Sequence, residues 1–381
     1  MKLLWLDLNS SYAHSSLALP ALHAQIADDE AIEWDIVSAT INENVGMVAG
    51  EVYRRRPDLL AATVWLFNHE QLLHIISRVK ALLPQCCIVL GGPEFLGDNE
   101  FFLRSNPFVS CVFRGEGEEV FPQWITHRNN PSEWKNIPGL CYLDSHGNYI
   151  NNGIARVLDF HHLVPPEKSR FFNWSKPFVQ LETTRGCFNT CAFCVSGGEK
   201  PVRTLSIEAI RERLQIIHRH GIKNVRVLDR TFNYNTRRAK DLLELFLEFA
   251  PDIRFHLEMH PALLSEELKE ELKRLPEGLL HLEAGIQSLR EPVLVQSRRM
   301  GRLSDALEGL KFLCALPNME THADLIAGLP LYQLSEIFED IRVLAEYGAG
   351  EIQLESLKLL PGTEMRRRAE ELGIQYSPFP P

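Results

Sequence analysis

Three cysteines, Cys187, Cys191 and Cys194, stand at C-x3-C-x2-C inside LETTRGCFNTCAFCVSGG, residues 181–198. An odd number cannot close into a disulfide framework. Spacing this tight brings three thiolates toward one point, which suits a soft metal or an iron–sulfur cluster. A closed structural zinc site needs a fourth protein ligand, and no nearby cysteine or histidine offers an obvious one. Three ligands on a four-iron cluster would leave one iron open to a small molecule. The blander reading is three buried free thiols that pack as small apolar side chains.

The elements around this loop alternate between apolar strands and amphipathic helices. Strands are predicted at residues 178–182, 225–229, 254–258, 280–285, 321–326 and 352–357, with helices between them, for example at 207–218 and 236–249. Ser206 and Thr236 suit caps for those two helices. Six strand–helix units imply a partial (β/α)6 barrel with its chemistry at the carboxyl ends of the strands. Those ends are polar: Asp229-Arg230-Thr231-Phe232-Asn233, then Glu258, Glu283 running on to Gln287 and Ser288, Asp324, and Lys358. Each alone could be a helix cap or an ion-pair partner, but a polar residue closes nearly every strand.

Residues 1–125 alternate in the same way, with strands at 3–8, 32–37, 59–67 and 87–90 and helices at 16–27 and 70–83. This predicts an α/β, doubly wound parallel sheet of the Rossmann-like kind, which binds ligands at the carboxyl ends of its strands. Those ends carry Asn9-Ser10-Ser11-Tyr12, Asn68-His69-Glu70, Gly91-Gly92-Pro93-Glu94 and Gly115-Glu116-Gly117-Glu118. Glycine there lets a ligand approach the backbone and its amide donors, although each loop is also ordinary turn chemistry. Residues 126–176 read as a connector, with a hairpin of 140–143 and 149–150 around Asp144-Ser145-His146-Gly147. His161 and His162 are adjacent and point to opposite sides, so they are no chelating pair.

The chain has 381 residues, 45% hydrophobic and 24% charged, as expected of a globular protein of two domains. No apolar run approaches the roughly 20 residues of a membrane helix. The opening MKLLWLDLN reaches Asp7 too soon for a secretory segment and reads as a first strand. Eight cysteines, three of them clustered for metal, point to a reducing cytoplasm. A net charge of −10 argues against a large nucleic-acid footprint, and the basic run Arg366-Arg367-Arg368 suits a solvated helix face.

The cysteine loop at the end of an apolar strand, with Phe193 just before the last cysteine, resembles that of the radical S-adenosylmethionine (SAM) enzymes. The resemblance implies a 4Fe–4S cluster on Cys187, Cys191 and Cys194, SAM chelating the open iron, and Phe193 beside the adenine. DRTFN resembles the second-strand motif that contacts the methionyl amino group, which implies Asp229 and Thr231. GIQS and DLIAGLP resemble the motifs of the coproporphyrinogen oxidase-like branch. They imply Glu258 and Gln287 at the ribose and methionyl ends, Arg299 (or Arg298) at the SAM carboxylate, and Asp324 beside the ribose. LKLLPGTEM, residues 357–365, fits the family's closing segment.

The order of loops in the first 125 residues resembles the cobalamin-binding domain found ahead of many radical SAM enzymes. It implies a corrinoid over the strand ends, near Asn9, Ser10, Tyr12, Asn68, Gly91, Gly92, Pro93, Glu94, Gly115, Glu116 and Gly117. The D-x-H-x-x-G loop of histidine-ligating cobalamin domains is absent, and neither His14 nor His69 has that setting. No histidine is therefore expected below the cobalt, and Asn68 or a neighbour in WLFN is expected to face it.

The expected activity is reductive cleavage of SAM to a 5′-deoxyadenosyl radical, followed by methylation of an unactivated carbon through methylcobalamin. The alternatives are radical SAM chemistry that uses cobalamin without methyl transfer, or a non-catalytic corrinoid- or cluster-binding protein. Methylthiolation of transfer RNA is less expected, because Cys86, Cys87, Cys111 and Cys141 do not form a second triad. The implied partners are a small-molecule or peptide substrate and an electron donor such as flavodoxin or ferredoxin. Residues 361–381 read as the start of a C-terminal extension, the chain being a minimal or a shortened member.

Overall fold

The computed structural model describes residues 1–377, which divide into two compact units. Unit 1 holds Met1–Lys176 and Leu360–Gly362; unit 2 holds Pro177–Leu359 and Thr363–Gln375.

Unit 1 is built on β1 (Lys2–Asn9), β2 (Glu33–Thr40), β3 (Leu59–Thr63), β4 (Cys87–Gly91), β5 (Cys111–Phe113), β6 (Leu140–Leu143) and β7 (Tyr149–Asn151), in sheet order β2-β1-β3-β4-β5-β6-β7. The first five strands are parallel; β6 and β7 add antiparallel at one edge. Side chains alternate across such a sheet. One face buries Leu4, Leu6, Leu60, Ile88 and Leu90 with Leu72, Ile75, Ile76 and Val79 of the helix His69–Leu82. The other buries Leu3, Trp5, Leu59 and Val89 with Phe121 and Trp124. Apolar cover on both faces is what a parallel sheet requires.

Three features depart from expectation. Residues 126–176 do not stand apart as a connector, because their hairpin extends the unit 1 sheet through Val112↔Cys141. A helix, Val45–Arg55, follows β2, capped by Asn44, whose Oδ1 accepts from Gly46 N at 2.8 Å and Met47 N at 3.2 Å. β3 stops at Thr63 rather than running to residue 67, because Asn68 folds residues 64–68 into a turn.

Unit 2 arranges β8 (Val179–Leu181), β11 (Asn224–Val227), β12 (Arg254–Met259), β13 (Leu280–Gln287), β14 (Glu320–Ala327) and β15 (Glu351–Ser356) as one six-stranded parallel sheet in chain order. β9 (Thr184–Arg185) and β10 (Arg203–Thr204) form a small antiparallel pair beside the cysteine loop. This is the expected partial barrel, with β8 and β15 as open edges. β12 and β13 alternate strictly. Phe255, Leu257 and Met259 are buried, as are Leu280, Leu282, Ala284 and Ile286, while His256, Glu258, His281 and Glu283 occupy the opposite, polar face. Ser206 caps the helix Ile207–Arg219 by accepting from Ala209 N at 3.2 Å. The helix Thr236–Leu247 is capped by Asn235 and not by Thr236; Asn235 Oδ1 accepts from Arg238 N at 3.0 Å.

Candidate active site

The cysteine loop is shaped by its own backbone and by glycine. Cys194 N donates to Cys191 O at 3.1 Å, and Gly197 N to Cys194 O at 3.0 Å. A Cβ at Gly197 would lie 2.3 Å from Cys191 O, so only glycine fits this turn. Asn189 and Thr190 tie the loop to the turn after the helix Glu291–Gln296: Asn189 Oδ1 accepts from Met300 N at 3.1 Å, and Thr190 Oγ1 donates to Arg298 O at 3.2 Å. That turn delivers Arg299, whose Nη1 lies 3.7 Å from Cys191 Sγ and whose Nη2 donates to Gly285 O. Arg298 instead turns outward to Glu364 at 2.7 Å. Thr231 Oγ1 lies 3.9 Å from Cys187 Sγ.

The strand ends meet this loop with charge. Gln287 closes β13 at φ 71 after a bulge, and its side chain covers Gly285, where a Cβ would meet Gln287 Nε2 at 2.7 Å. A left-handed glutamine is strained, and such strain persists only where its surroundings hold it. Asp340 supplies that hold: its carboxylate is buried and accepts from Leu289 N at 2.8 Å, Tyr332 Oη at 2.6 Å and Arg290 Nε at 2.9 Å. Burial pushes the Glu258 carboxyl up to about 7; Glu283 and Asp229 add to the rise, and Arg230 and Arg226 oppose it. Asp229 is engaged within the fold. It is 1% exposed and accepts from Thr183 N at 2.9 Å, Thr184 N at 2.8 Å and Thr183 Oγ1, so it braces the entry to the cysteine loop.

Below the strand ends, the polar face of β12–β14 carries a linked set that was overlooked in the sequence apart from Glu283 and Asp324. His256 Nε2 lies 2.9 Å from Glu283 Oε2, and His281 Nε2 lies 2.8 Å from His322 Nδ1. His322 Nε2 lies 3.4 Å from both Glu283 Oε2 and Asp324 Oδ1. The signal was present as His-x-acid on three neighbouring strands: His256-Leu257-Glu258, His281-Leu282-Glu283 and His322-Ala323-Asp324. Period-two alternation puts both members of each pair on one face. Burial and the facing Glu283 push Asp324 up to about 9. Burial works to raise the Glu283 pKa, but the hydrogen bond with His256 and the facing His322 and Asp324 outweigh it and hold it low.

In unit 1 the strand-end loops use their polar groups internally. Asn68 is 1% exposed; its Oδ1 accepts from Trp65 N at 2.8 Å and its Nδ2 donates to Leu8 O at 2.9 Å and Thr63 O at 3.1 Å. Its amide thus serves the fold, closing the turn between β3 and the following helix. From the same loop Phe67 is 42% exposed, with its ring stacked on Trp65 at 6.2 Å. Glu116 Oε2 accepts from Val157 N at 2.7 Å, and Asn9 Nδ2 donates to Asp7 Oδ2 at 2.7 Å. Gly91 O accepts from Val64 N at 2.7 Å, and Gly92 at φ 114 begins the turn Pro93–Phe95. Glu94 Oε2 pairs with His69 Nδ1 at 3.2 Å, while Oε1 is buried without a hydrogen-bond partner. Ser10 and Tyr12 follow β1, with Tyr12 75% exposed. Gly115 (φ 104) and Gly117 flank the backbone bond from Glu116 N to Ala155 O at 3.1 Å.

Two family models match the chain: the radical SAM superfamily over residues 181–344 and the B12 binding domain over residues 6–125. The chain thus carries a B12-binding domain followed by a radical SAM domain. Among curated relatives, an uncharacterized methyltransferase of Pyrococcus horikoshii is 28% identical over 62% of this chain and 53% of its own length. The cobalamin-dependent radical SAM methyltransferase TokK of Streptomyces tokunonensis is 22% identical over 84% of this chain and 50% of its own. The chain spans about half the length of the curated relatives it matches. The solved structure of the methyltransferase TsrM from Kitasatospora setae, with cobalamin and a [4Fe-4S] cluster bound, aligns with a TM-score of 0.75 at 17% identity. It covers 99% of this chain and 76% of that one, and shows the same fold.

In the radical SAM domain the donor set fits an iron–sulfur group. Burial pushes the Cys191 thiol up to about 11 and also raises Cys194, so the thiolates need a compensating charge in place. Cys187 and Cys191 are buried and Arg299 faces Cys191 Sγ, which supplies part of it. The B12-binding domain offers the complementary kind of site at its strand ends: exposed Tyr12 and Phe67, backbone turns at Gly92 and Gly115, and the unpartnered Glu94 Oε1. These fit a broad ligand with an apolar face and amide-rich edges. Among the described residues no helix is long and apolar enough to cross a membrane.

Proposed function

We propose that this chain cleaves SAM reductively and, with cobalamin, methylates an unactivated carbon of a small-molecule or peptide substrate. The observation that carries the reading is the placement of Arg299, between Cys191 Sγ and the Gly285 carbonyl, beside Gln287. A cation there sits where the carboxylate of a cluster-bound SAM needs one, and Glu258 and Gln287 stand at neighbouring strand ends for its amino and ribose groups. When bound, the cluster supplies the electron that cleaves SAM and the cobalamin supplies the methyl group. The chain's own residues set the geometry. Asp229 fixes Thr183 and Thr184 ahead of the cysteine loop, and Asp340 fixes the loop after β13. Thr231 stands beside Cys187, and Phe193, just before Cys194 in the loop, is the residue expected beside the adenine.

The B12-binding domain supports the methyl-transfer reading, with an aromatic loop at Trp65–Phe67 and the Asn68 amide engaged within the fold. Methylthiolation of transfer RNA is not favoured. Cys86 and Cys141 belong to one core face of the sheet and Cys111 to the other, so they cannot converge as a second triad. A flavodoxin or ferredoxin of the cytoplasm would deliver the electron. The test is anaerobic turnover of SAM by the reconstituted protein with a reductant. Formation of both 5′-deoxyadenosine and S-adenosylhomocysteine is expected. Deoxyadenosine alone would favour cobalamin chemistry without methyl transfer, and neither product would overturn an enzymatic role.

A further inference from the structure

We propose that Glu283, His322 and Asp324 form a second metal site in the radical SAM domain, taking one divalent ion of the zinc or manganese class on the polar face of the sheet. The carboxylate oxygens and the imidazole nitrogen all lie within 4.8 Å of one another. Two of the separations, His322 Nε2 to Glu283 Oε2 and to Asp324 Oδ1, are 3.4 Å. Bonds of roughly 2.1 Å around a tetrahedral centre place ligand atoms about 3.4 Å apart. As a direct hydrogen bond, 3.4 Å is long.

A second observation points to a ligand. His322 is 6% exposed and Asp324 8%, yet His322 Nε2 and Asp324 Oδ1 are buried with no hydrogen-bond partner. Two buried polar atoms that face each other unsatisfied are costly unless something lies between them. Among the described residues, neither Glu283 nor Asp324 forms an ion pair with a lysine or arginine, so no permanent cation is paired with either acid, although Arg299 acts on Asp324 from further off. A divalent cation supplies one.

The groups behind the three ligands are arranged as metal sites require. His281 Nε2 takes up His322 Nδ1 at 2.8 Å, which orients the ring and leaves Nε2 facing Glu283 and Asp324. His281 is backed by Arg254 Nη2 at 3.3 Å. His256 Nε2 holds Glu283 Oε2 at 2.9 Å, a histidine–carboxylate contact that fixes the second ligand. Such outer contacts tune ligand direction and affinity. Two oxygens and one imidazole nitrogen suit zinc, manganese or ferrous iron better than the soft thiolate set of the cysteine loop. The site is thus chemically separate from the cluster and does not depend on the proposed reaction.

The experiment counts metals in the full-length protein, purified anaerobically with its cluster and without SAM or corrinoid. The protein is equilibrated with zinc in one arm and manganese in the other, and then analysed by mass spectrometry. One added ion per chain is expected beyond the cluster iron, and it should persist in a Cys187→Ser/Cys191→Ser/Cys194→Ser variant. Glu283→Gln and His322→Ala should each weaken retention at least tenfold, and His281→Leu by about 10- to 100-fold, with the iron count unchanged. Glu283→Gln is isosteric and decides the matter if His322→Ala does not fold. No stoichiometric ion in the parent protein, equal retention in Glu283→Gln, or loss only with the cysteines would overturn the site.

Discussion

The two domains place their loops at the same end of a parallel sheet but build them from opposite materials. In the B12-binding domain the polar side chains near the strand ends serve the protein: Asn68 closes a turn with three hydrogen bonds, and Glu116 holds Val157. What remains for a ligand is backbone shape and exposed aromatic surface. In the radical SAM domain Glu258, Glu283, Asp324 and Arg299 stand at or behind the strand ends with their charges largely uncompensated by one another. Shape-built and charge-built sites fail differently. The first loses stability and ligand together, whereas the second can lose ligand while the fold stands.

The largest test of that contrast is Cys191→Ser. Iron should fall from about four per chain toward background, and SAM cleavage should cease, while corrinoid content stays at the parent level. Metal analysis alongside the corrinoid spectrum reads both, and a parallel loss of corrinoid would break the separation of the two sites. Next comes Gly92→Ala. Its Cβ would stand 2.5 Å from Val64 O at a φ of 114, so a cost above about 3 kcal/mol and loss of corrinoid are expected. Gly147→Ala, at φ 79 with nothing within 4 Å, should cost only about 1–2 kcal/mol. Urea denaturation compares the pair, and equal costs would remove the argument that close approach makes Gly92 obligatory.

How much of this was legible beforehand follows the same division. The strands of both domains were visible because apolar residues alternate with polar ones or run unbroken between turn residues, and the cysteine spacing announced its chemistry. The hairpin's membership of the unit 1 sheet was not legible, since Val112↔Cys141 pairs residues far apart in the chain. The helix Val45–Arg55 was hidden by Gly46 and Gly50, which weaken its propensity, although Val48, Ala49 and Val52 carry the buried stripe. Side-chain direction was the harder matter. Asn68 and Asp229 were placed in the right loops, but their partners, Leu8 and Thr183, lie 60 and 46 residues away. The three His-x-acid pairs were readable in principle, because only strand periodicity is needed to align them.

A paired comparison of moderate size follows from those directions. Asn68→Ala removes hydrogen bonds to two carbonyls and one amide inside the B12-binding domain. It should cost about 1–3 kcal/mol of stability while leaving the spectrum of bound corrinoid unchanged. Arg299→Gln should leave the fold nearly as stable but weaken SAM binding by roughly 10- to 100-fold, the loss of a charge-assisted contact. Thermal unfolding and equilibrium dialysis with labelled SAM separate the two. A changed corrinoid spectrum in Asn68→Ala would return that amide to the cobalt.

The smallest effect concerns protons, and here the domains should behave alike. His23 is buried between Trp34 and Phe171, with Nδ1 2.9 Å from Ser169 Oγ; burial, then Arg170, lowers its pKa. In the other domain His260 Nε2 donates to Met300 O at 3.0 Å, and burial, then Arg299, pushes its pKa down to about 3. A histidine depressed in the folded state binds fewer protons there than in the unfolded chain. Its contribution is therefore complete above the unfolded value near 6.5 and is lost as pH falls below it, for His260 along the whole range down to about 3. Each such group can add a slope of at most about 1.4 kcal/mol per pH unit. His260→Gln, which keeps a donor for Met300 O, should flatten the acid limb of stability between pH 6.5 and 4 more than His23→Gln does, because His260 is the more strongly depressed of the two. An unchanged acid limb in both variants would mean that the rings are already protonated in the folded protein, and that the burial on which both domains rely is more open to water than their packing implies.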